Sequence, residues 1–486
     1  MLRAMESERH TALGIGAAVL LAAVGIWVCG RSEPVGLGLL LGVPVLLLLT
    51  AGAVRRPVLA VTAFAVLLPA GDIGLPMAVN LVQVVAAFTA MIVLAARISG
   101  RGRTIGWSPL IAASALLVAS ALLSTLTSYD LSNSLTQCMN YLAGLALAAA
   151  VVAATERSAD LLVAAMALVI GGAGMCSAVL ASIPDLKAHY GATVVDNRPV
   201  GTFAQPNELG LCAAMILCFA LAMAVVMWRR RQTALSMVCA VATFLALVAL
   251  VLSLSRGSWI GGAAGLAVLV VLLREARRPL LICLTAVCLA GMAFALAAPL
   301  SSTSSVFAER LSSIFTGERS PYDERPAAWA GAVQQMSQSS LLGSGPAAYQ
   351  AAAAQGVAQF TDVRQVNHAH VLYLTVGAEQ GALGVAALIT TIGVGAREAL
   401  RNRATATAPW GDSGGSVSST PIPAHSAVSA ASAAALAAVT AQGIVDYSLR
   451  NPVLGAMTWL LIGLLAASAK TRSTMLDDVD PEGGRT

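Results

Sequence analysis

Apolar runs of roughly 17–25 residues recur along the chain, each long enough to cross a hydrocarbon core about 30 Å thick. About fourteen can be counted, centred near residues 20, 45, 63, 86, 116, 146, 171, 217, 244, 266, 289, 382, 435 and 460. The third, Pro57–Ala70, is short for a span. The run around Leu20 lacks a small-residue cleavage site and is followed by further spans, so it reads as an anchor and not as a removed signal. The pattern predicts an all-α polytopic membrane protein with 12–14 transmembrane helices.

Polar stretches divide these runs. Residues 1–184 are N-terminal helices, and 185–299 are core helices with arginine-bearing loops. Residues 300–368 form the largest loop, expected to contain short helices, and 369–468 are C-terminal helices. Residues 404–424, rich in Gly, Ser, Thr and Pro, read as a flexible linker. The tail 469–486 reads as disordered.

Charge orients the helices. Only 11% of residues are charged, against about 25% in a soluble domain. With the N terminus inside, the outer segments hold Arg31, Lys187, Arg198, Arg256, Arg310, Arg319, Arg325, Arg364 and Arg450, nine of the 29 basic residues. The other twenty fall inside, as the positive-inside bias requires, with both termini cytoplasmic. The net charge of +5 reflects this bias, and no aromatic-interleaved basic patch suggests nucleic acid. The eight cysteines lie in or beside apolar runs without metal-ligand spacing, which reads as buried packing.

Three outer motifs carry candidate chemistry. In Arg198-Pro-Val-Gly-Thr-Phe-Ala-Gln-Pro-Asn207-Glu208, prolines and a glycine shape a non-helical backbone before a helix. Asn207 is the expected N-cap, and the helix N-terminus would favour an anion. The bland alternative is a capped helix with Arg198 snorkelling to the interface. In Ser253-Leu-Ser255-Arg256-Gly257-Ser258-Trp259, Arg256 is almost embedded between apolar runs, and Gly257 supplies backbone freedom. Such an arginine is costly unless paired or hydrated, so it is a functional candidate, with a stray charge in a tight hairpin as the alternative.

The third motif is Asn367-His368-Ala-His370-Val-Leu-Tyr373, followed by Glu379-Gln-Gly381-Ala-Leu-Gly384. A helix beginning near residue 369 would put His370, Gly377, Gly381, Gly384 and Thr391 on one stripe, as if to pack closely on another helix. Glu379 would lie about 180° away, deeper in the span and paired structurally. His370 could instead be an interface histidine bonded to backbone. The His-x-His pair lacks a nearby third ligand, so metal binding is a weak reading. Between these motifs, Arg325–Gln338 has the spacing of an amphipathic surface helix, with Trp329, Val333 and Met336 on one side.

Arginines, a helix N-terminus and a histidine suit phosphate binding and proton acceptance from a hydroxyl. A membrane-anchored, already activated substrate with a phosphate leaving group fits this set.

Several motifs occur together in order. They are Arg198-Pro-Val-Gly-Thr-Phe with Asn207-Glu-Leu-Gly, Leu254-Ser-Arg256-Gly-Ser-Trp259, Arg325 with Trp329, Leu342-Gly-Ser-Gly-Pro, and His370 with Tyr373, Glu379 and Gly381-Ala-Leu-Gly384. Together they resemble the O-antigen ligase and polymerase superfamily of bacterial membrane proteins. The family motif usually has Asn after its histidine, where this chain has Val371. The resemblance implies a GT-C-like architecture in the inner membrane and metal-independent, inverting glycosyl transfer on its outer face, with no cofactor. The donor would be a glycan on polyprenyl pyrophosphate, and the acceptor a glycan, lipid or protein hydroxyl. Arg198 and Arg256 would hold the pyrophosphate, and His370 would take the acceptor proton or orient the hydroxyl. Arg325, Asn207, His368 and Tyr373 would contact substrate. A transporter or flippase of polyprenyl-linked glycan is the rival reading, but it needs charged residues deep in the spans, where Glu379 stands almost alone.

Overall fold

The computed structural model describes residues 55–71, 74–75, 79–98, 108–180, 187–189, 195–274, 277–282, 285, 289, 311–312, 314, 325–356, 366–406 and 422–479. The expected spans near residues 20 and 45, most of the span near 289, most of 300–324 and the linker from residue 407 to 421 lie outside the described residues.

The helices are α1 (Val58–Leu67), α2 (Leu81–Ile98), α3 (Pro109–Ser124), α4 (Leu131–Ala154), α5 (Ser158–Ser177), α6 (Pro206–Arg229) and α7 (Thr233–Leu252). They continue with α8 (Arg256–Leu272), α9 (Arg325–Gln338), α10 (Tyr349–Ala354), α11 (Leu372–Ala406), α12 (Ala424–Gln442) and α13 (Pro452–Val479). Among the described residues, nine helices are long and apolar enough to cross a membrane, and α1 and α8 are shorter apolar helices. These match eleven of the expected runs, and the protein is a multi-pass, overwhelmingly helical membrane protein. Two short antiparallel hairpins qualify the all-helical expectation: β1 (Gly74–Leu75) with β2 (Val79–Asn80), and β3 (Lys187–His189) with β4 (Val195–Asn197). Both lie in connections between helices.

Helix α6 is apolar on every side and buried almost throughout, as a central helix should be. It packs on α7, α8 and α12. Small residues let α8 and α12 approach closely. A Cβ at Gly261 would stand 2.7 Å from the Ala438 carbonyl oxygen, and one at Gly265 would stand 2.6 Å from that of Ala434. Larger side chains there would force the two helices apart. The Ala- and Ser-rich sequence of α12 completes this seam.

Hydrogen bonds fix which helix ends meet. Arg97 at the end of α2 reaches Glu156 and the Ala153 carbonyl beside the end of α4. Arg230 after α6 donates at 2.8 and 3.2 Å to the carbonyl of Ile422, just before α12. At the opposite end, Gln442 closing α12 donates to the Asn207 carbonyl at the start of α6. Arg97, Arg157, Arg230 and Arg401 thus share one end of the bundle, and Arg256, His368 and Arg450 lie at the other.

Three expectations change. Helix α13 continues to Val479, so the stretch from residue 469 is helical where disorder was expected. Helix α11 reaches Ala406, into the expected linker. It begins at Leu372, and Gly381 inside it has φ 64° and ψ −161°, breaking the helix. The stripe from His370 to Thr391 is therefore not one continuous helical face. Gly377 faces Met336 of α9, and Gly381 faces the backbone of Leu341 and Leu342. The glycines admit α9 and the loop after it, not another spanning helix. On α9 itself the buried face is Ala328, Gly331, Ala332 and Gln335, while Val333 is exposed. Met336 packs on Gly377.

Candidate functional site

The turn between α7 and α8 is held at several points. Ser255 caps α8 by accepting from the Ser258 backbone N–H at 3.4 Å, and the Trp259 indole donates to the Leu250 carbonyl at 2.8 Å. Arg256 is the first helical residue and is half-buried. Gly257 is helical, so it does not serve backbone freedom as expected. A Cβ there would come within 2.7 Å of the Val445 side chain, and close approach is what demands glycine.

Asn207 is not the cap of α6. Pro206 occupies the first turn, and Gln205 precedes the helix, with its N–H donating to Glu208 at 3.2 Å. Proline at N1 and an acidic residue at N3 complete a capping box two residues earlier than the Asn signal suggested. Asn207 contributes its carbonyl, which accepts from Ser258 and Gln442, both at 3.4 Å. Gln442 also donates to Ser258 at 3.1 Å and to Ser448 at 3.2 Å. One buried amide thus ties the Arg256 turn and the start of α6 to the 446–450 segment. Asn451 extends the tie by donating to Glu208 at 3.4 Å.

That segment carries Arg450, which the sequence marks only as one of nine outer basic residues. Its guanidinium lies 3.2 Å from Nδ1 of His368. Arginine has only donors, so Nδ1 must accept, and a neutral His368 carries its proton on Nε2. Burial, then the charges of His370, Arg450 and Arg325, push His368 down to about 3. His368 is therefore neutral near pH 7. The His368 ring centroid lies 4.3 Å from that of His370 and 5.8 Å from that of Tyr447. Burial also raises the Tyr447 hydroxyl well above its ordinary range. His370 is half-buried, with φ 55°. Of the four non-glycine residues with positive φ among the described residues, Leu254, Ala347 and His370 stand at this end of the bundle. Such backbone costs about 1–3 kcal/mol each and gathers where function over-determines geometry.

The loop after α9 builds the floor. With α11 broken at Gly381, its exposed backbone pairs with the loop. Ser344 and Gly345 donate to the Ala378 and Glu379 carbonyls at 2.9 Å, and Ala382 donates to Ser340 at 2.8 Å. Thr127 and Ser134 reach the Gly343 and Pro346 carbonyls at 2.9 and 2.7 Å, joining the loop to α4. The two glycines of the Leu342-Gly-Ser-Gly-Pro motif are explained here. Gly343 packs on the Glu379 backbone and Gly345 on Ser128, both with positive φ. The buried Glu379 carboxylate accepts from the Ala347 and Tyr349 backbone N–H groups, a structural pairing as expected, though with a loop instead of a neighbouring helix. Above it opens a cavity of about 520 Å³, lined by Asp130, Asn133, Gln137, Ala347, Gln350, Ala351, Ala354, Asn367, His368, Glu379, Tyr447 and Arg450.

A second cavity, of about 490 Å³, lies within the bundle between α3, α8, α11, α12 and α13. Its lining is almost wholly apolar, including Leu117, Val268, Leu372, Ile392, Leu436 and Leu465. Tyr447 lines both cavities. Tyr373 does not line either; its hydroxyl donates to the Thr440 carbonyl at 3.0 Å and ties α11 to α12. Arg325 opens α9, and its charge is felt at His368. Arg198 is half-buried in the non-helical backbone after β4. Among the described residues, no three His, Cys, Asp or Glu side chains are grouped to share a metal ion.

Residues 241–389, a little under a third of the chain, match the protein family described as O-Antigen ligase. Over these residues the chain is similar to that family. No curated protein matches it. The matching segment runs from α7 into α11 and carries Arg256, Arg325, His368, His370 and Glu379. Arg198 and Arg450 lie outside it. The signal that could have drawn attention to Arg450 was its place: a lone outer cation directly before Asn451-Pro452, where a helix starts.

Proposed function

We propose that this protein transfers a glycan from polyprenyl pyrophosphate to an acceptor hydroxyl on the outer face of the inner membrane, as the similarity of residues 241–389 to the O-antigen ligase family suggests. The observation that carries this reading is the pair of cavities that share Tyr447 as a wall. One is lined by polar side chains and the other by apolar ones, which suits a substrate with a sugar head and an isoprenoid tail. Soluble nucleotide sugars have no use for the second cavity.

In this reading Arg256 and Arg198, with the N-termini of α6 and α8, hold the pyrophosphate and offset its charge as it leaves. The acceptor oxygen attacks the anomeric carbon from the face opposite the leaving group, so configuration inverts. The new C–O bond forms as the C1–O–P bond breaks, and its electron pair goes to the pyrophosphate oxygen. His370 takes the hydroxyl proton or orients the hydroxyl. His368, held neutral by burial first and then by His370 and Arg450, donates from Nε2 and is the poorer base. Arg325 contacts phosphate or acceptor. The resemblance implies no metal or cofactor.

The test is reconstitution. Protein in liposomes is given lipid-pyrophosphate glycan and a glycan, lipid or protein acceptor, with chelator and without nucleotide. The expected result is acceptor extension with equimolar release of polyprenyl pyrophosphate. Glycan transport without any C1–O–P cleavage would support the flippase reading instead.

A further inference from the structure

The polar cavity is short of cations for phosphates and has the right chemistry for a sugar ring. Its one guanidinium, Arg450, is already bonded to His368, and the carboxyl groups of Asp130 and Glu379 line the same space. A pyrophosphate placed there would lose hydration with little compensation. Arg256, Arg198 and Arg325, the cations suited to it, do not line the cavity.

What does line it is a set of side-chain amides: Asn133, Gln137, Gln350 and Asn367. Each offers donors and an acceptor in one plane, which matches the vicinal hydroxyls of a saccharide. They come from separate elements. Asn133 and Gln137 stand one turn apart on α4, Gln350 is on α10, and Asn367 precedes His368. Asp130 is already oriented, accepting from the backbone and side-chain N–H groups of Asn133 at 3.1 and 2.8 Å. The volume of about 520 Å³ falls within the range of small-ligand pockets, about 300–1,000 Å³. The floor is pinned, because the Gly343–Pro346 loop is bonded to both α4 and α11.

We propose that this cavity is a saccharide subsite, taking an uncharged sugar residue of the donor or acceptor glycan through Asp130, Asn133, Gln137 and Gln350. The inference deepens the transfer reading and rests on it for the identity of the glycan. The sugar then lies against His368, with the phosphate-binding arginines outside the cavity.

The experiment separates the two readings by measuring binding as well as turnover. The probe is the oligosaccharide released by mild acid from the host membrane's lipid-pyrophosphate pool. It is titrated into protein in lipid nanodiscs, which carry no detergent sugar headgroups. The N133A/Q350A variant truncates one exposed and one half-buried side chain, and melting curves identical to the wild type verify that the fold is kept. Affinity for the probe is expected to fall about tenfold or more, as two lost hydrogen bonds imply. Inorganic pyrophosphate should not displace the probe. In turnover, KM for the substrate whose sugar occupies the cavity should rise similarly, the donor's if the sugar is the donor's and the acceptor's if it is the acceptor's. Unchanged probe affinity in N133A/Q350A, or displacement of the probe by pyrophosphate, would overturn the subsite. Probe binding that depends on these amides in a protein unable to cleave the donor would leave the subsite standing and remove the transfer reading.

Discussion

His368 illustrates how one side chain's environment decides its role. Its neighbour His370 has the same chemistry and lies two residues away, yet Arg450 donates to His368 Nδ1 and burial holds it neutral down to about pH 3. That depression has a thermodynamic consequence. In the unfolded chain a histidine takes up its proton near pH 6.5, whereas folded His368 does so only near 3, so acid favours the unfolded state. Its contribution is fully present above about pH 6.5 and is lost as the pH falls toward 3. The expected outcome is that the melting temperature of the wild type drops more steeply between pH 7 and 5 than that of H368N. Parallel slopes would mean that His368 titrates normally. The sequence marked this histidine pair, but the His368–Arg450 contact spans 82 residues and is closed by the packing of α11 on α12. No local pattern encodes it. Asn207 was legible only as a residue near a helix start. Which residue capped the helix depended on competition between Asn and the adjacent Pro206 and Glu208.

At the scale of elements, apolar run length foretold the described spans well, because a spanning helix must satisfy its backbone internally and be apolar along its length. The same uniformity hid the break at Gly381. An apolar helix with a glycine reads as continuous, and only the pairing of Ala378, Glu379 and Ala382 with the 340–345 loop reveals where the helix yields. The glycines of α11 consequently differ in tolerance. Gly381 has a backbone that other residues rarely adopt and is crowded by Leu341, whereas nothing lies within 4 Å of a Cβ at Gly393. G381A is expected to lose about 1–3 kcal/mol through strain at the positive φ. G393A should be neutral or stabilising, since alanine is the better helix former. Thermal denaturation of both variants in the same lipid environment checks this, and equal stability would contradict the assigned break. The tail after residue 469 was misread for a related reason: its polar composition resembles disorder, yet it continues α13 directly, and an established helix propagates more easily than one begins.

For the whole molecule, the arginine bias read from the sequence agrees with the way the described helix ends meet. Arg97, Arg157, Arg230 and Arg401 gather at one end, and the candidate site occupies the other. The cavities were not legible. They arise where α3, α4, α8, α11, α12 and α13 leave space between them, and that space depends on helix placement more than on any single motif. They share Tyr447 as a wall, with polar walls on one side and apolar walls within the bundle on the other. The central proposal is that transfer from a lipid pyrophosphate, at the end of the bundle that holds Arg256, His368 and Arg450, uses Arg256 for the leaving group and His370 for the acceptor. The most direct measurement is turnover by R256A and H370A in liposomes with lipid-pyrophosphate glycan and acceptor. Both are expected to lose about 100-fold or more in kcat, since positioned proton transfer and charge stabilisation each contribute on that order. Melting curves should match the wild type. Near-normal turnover in both variants would contradict the account.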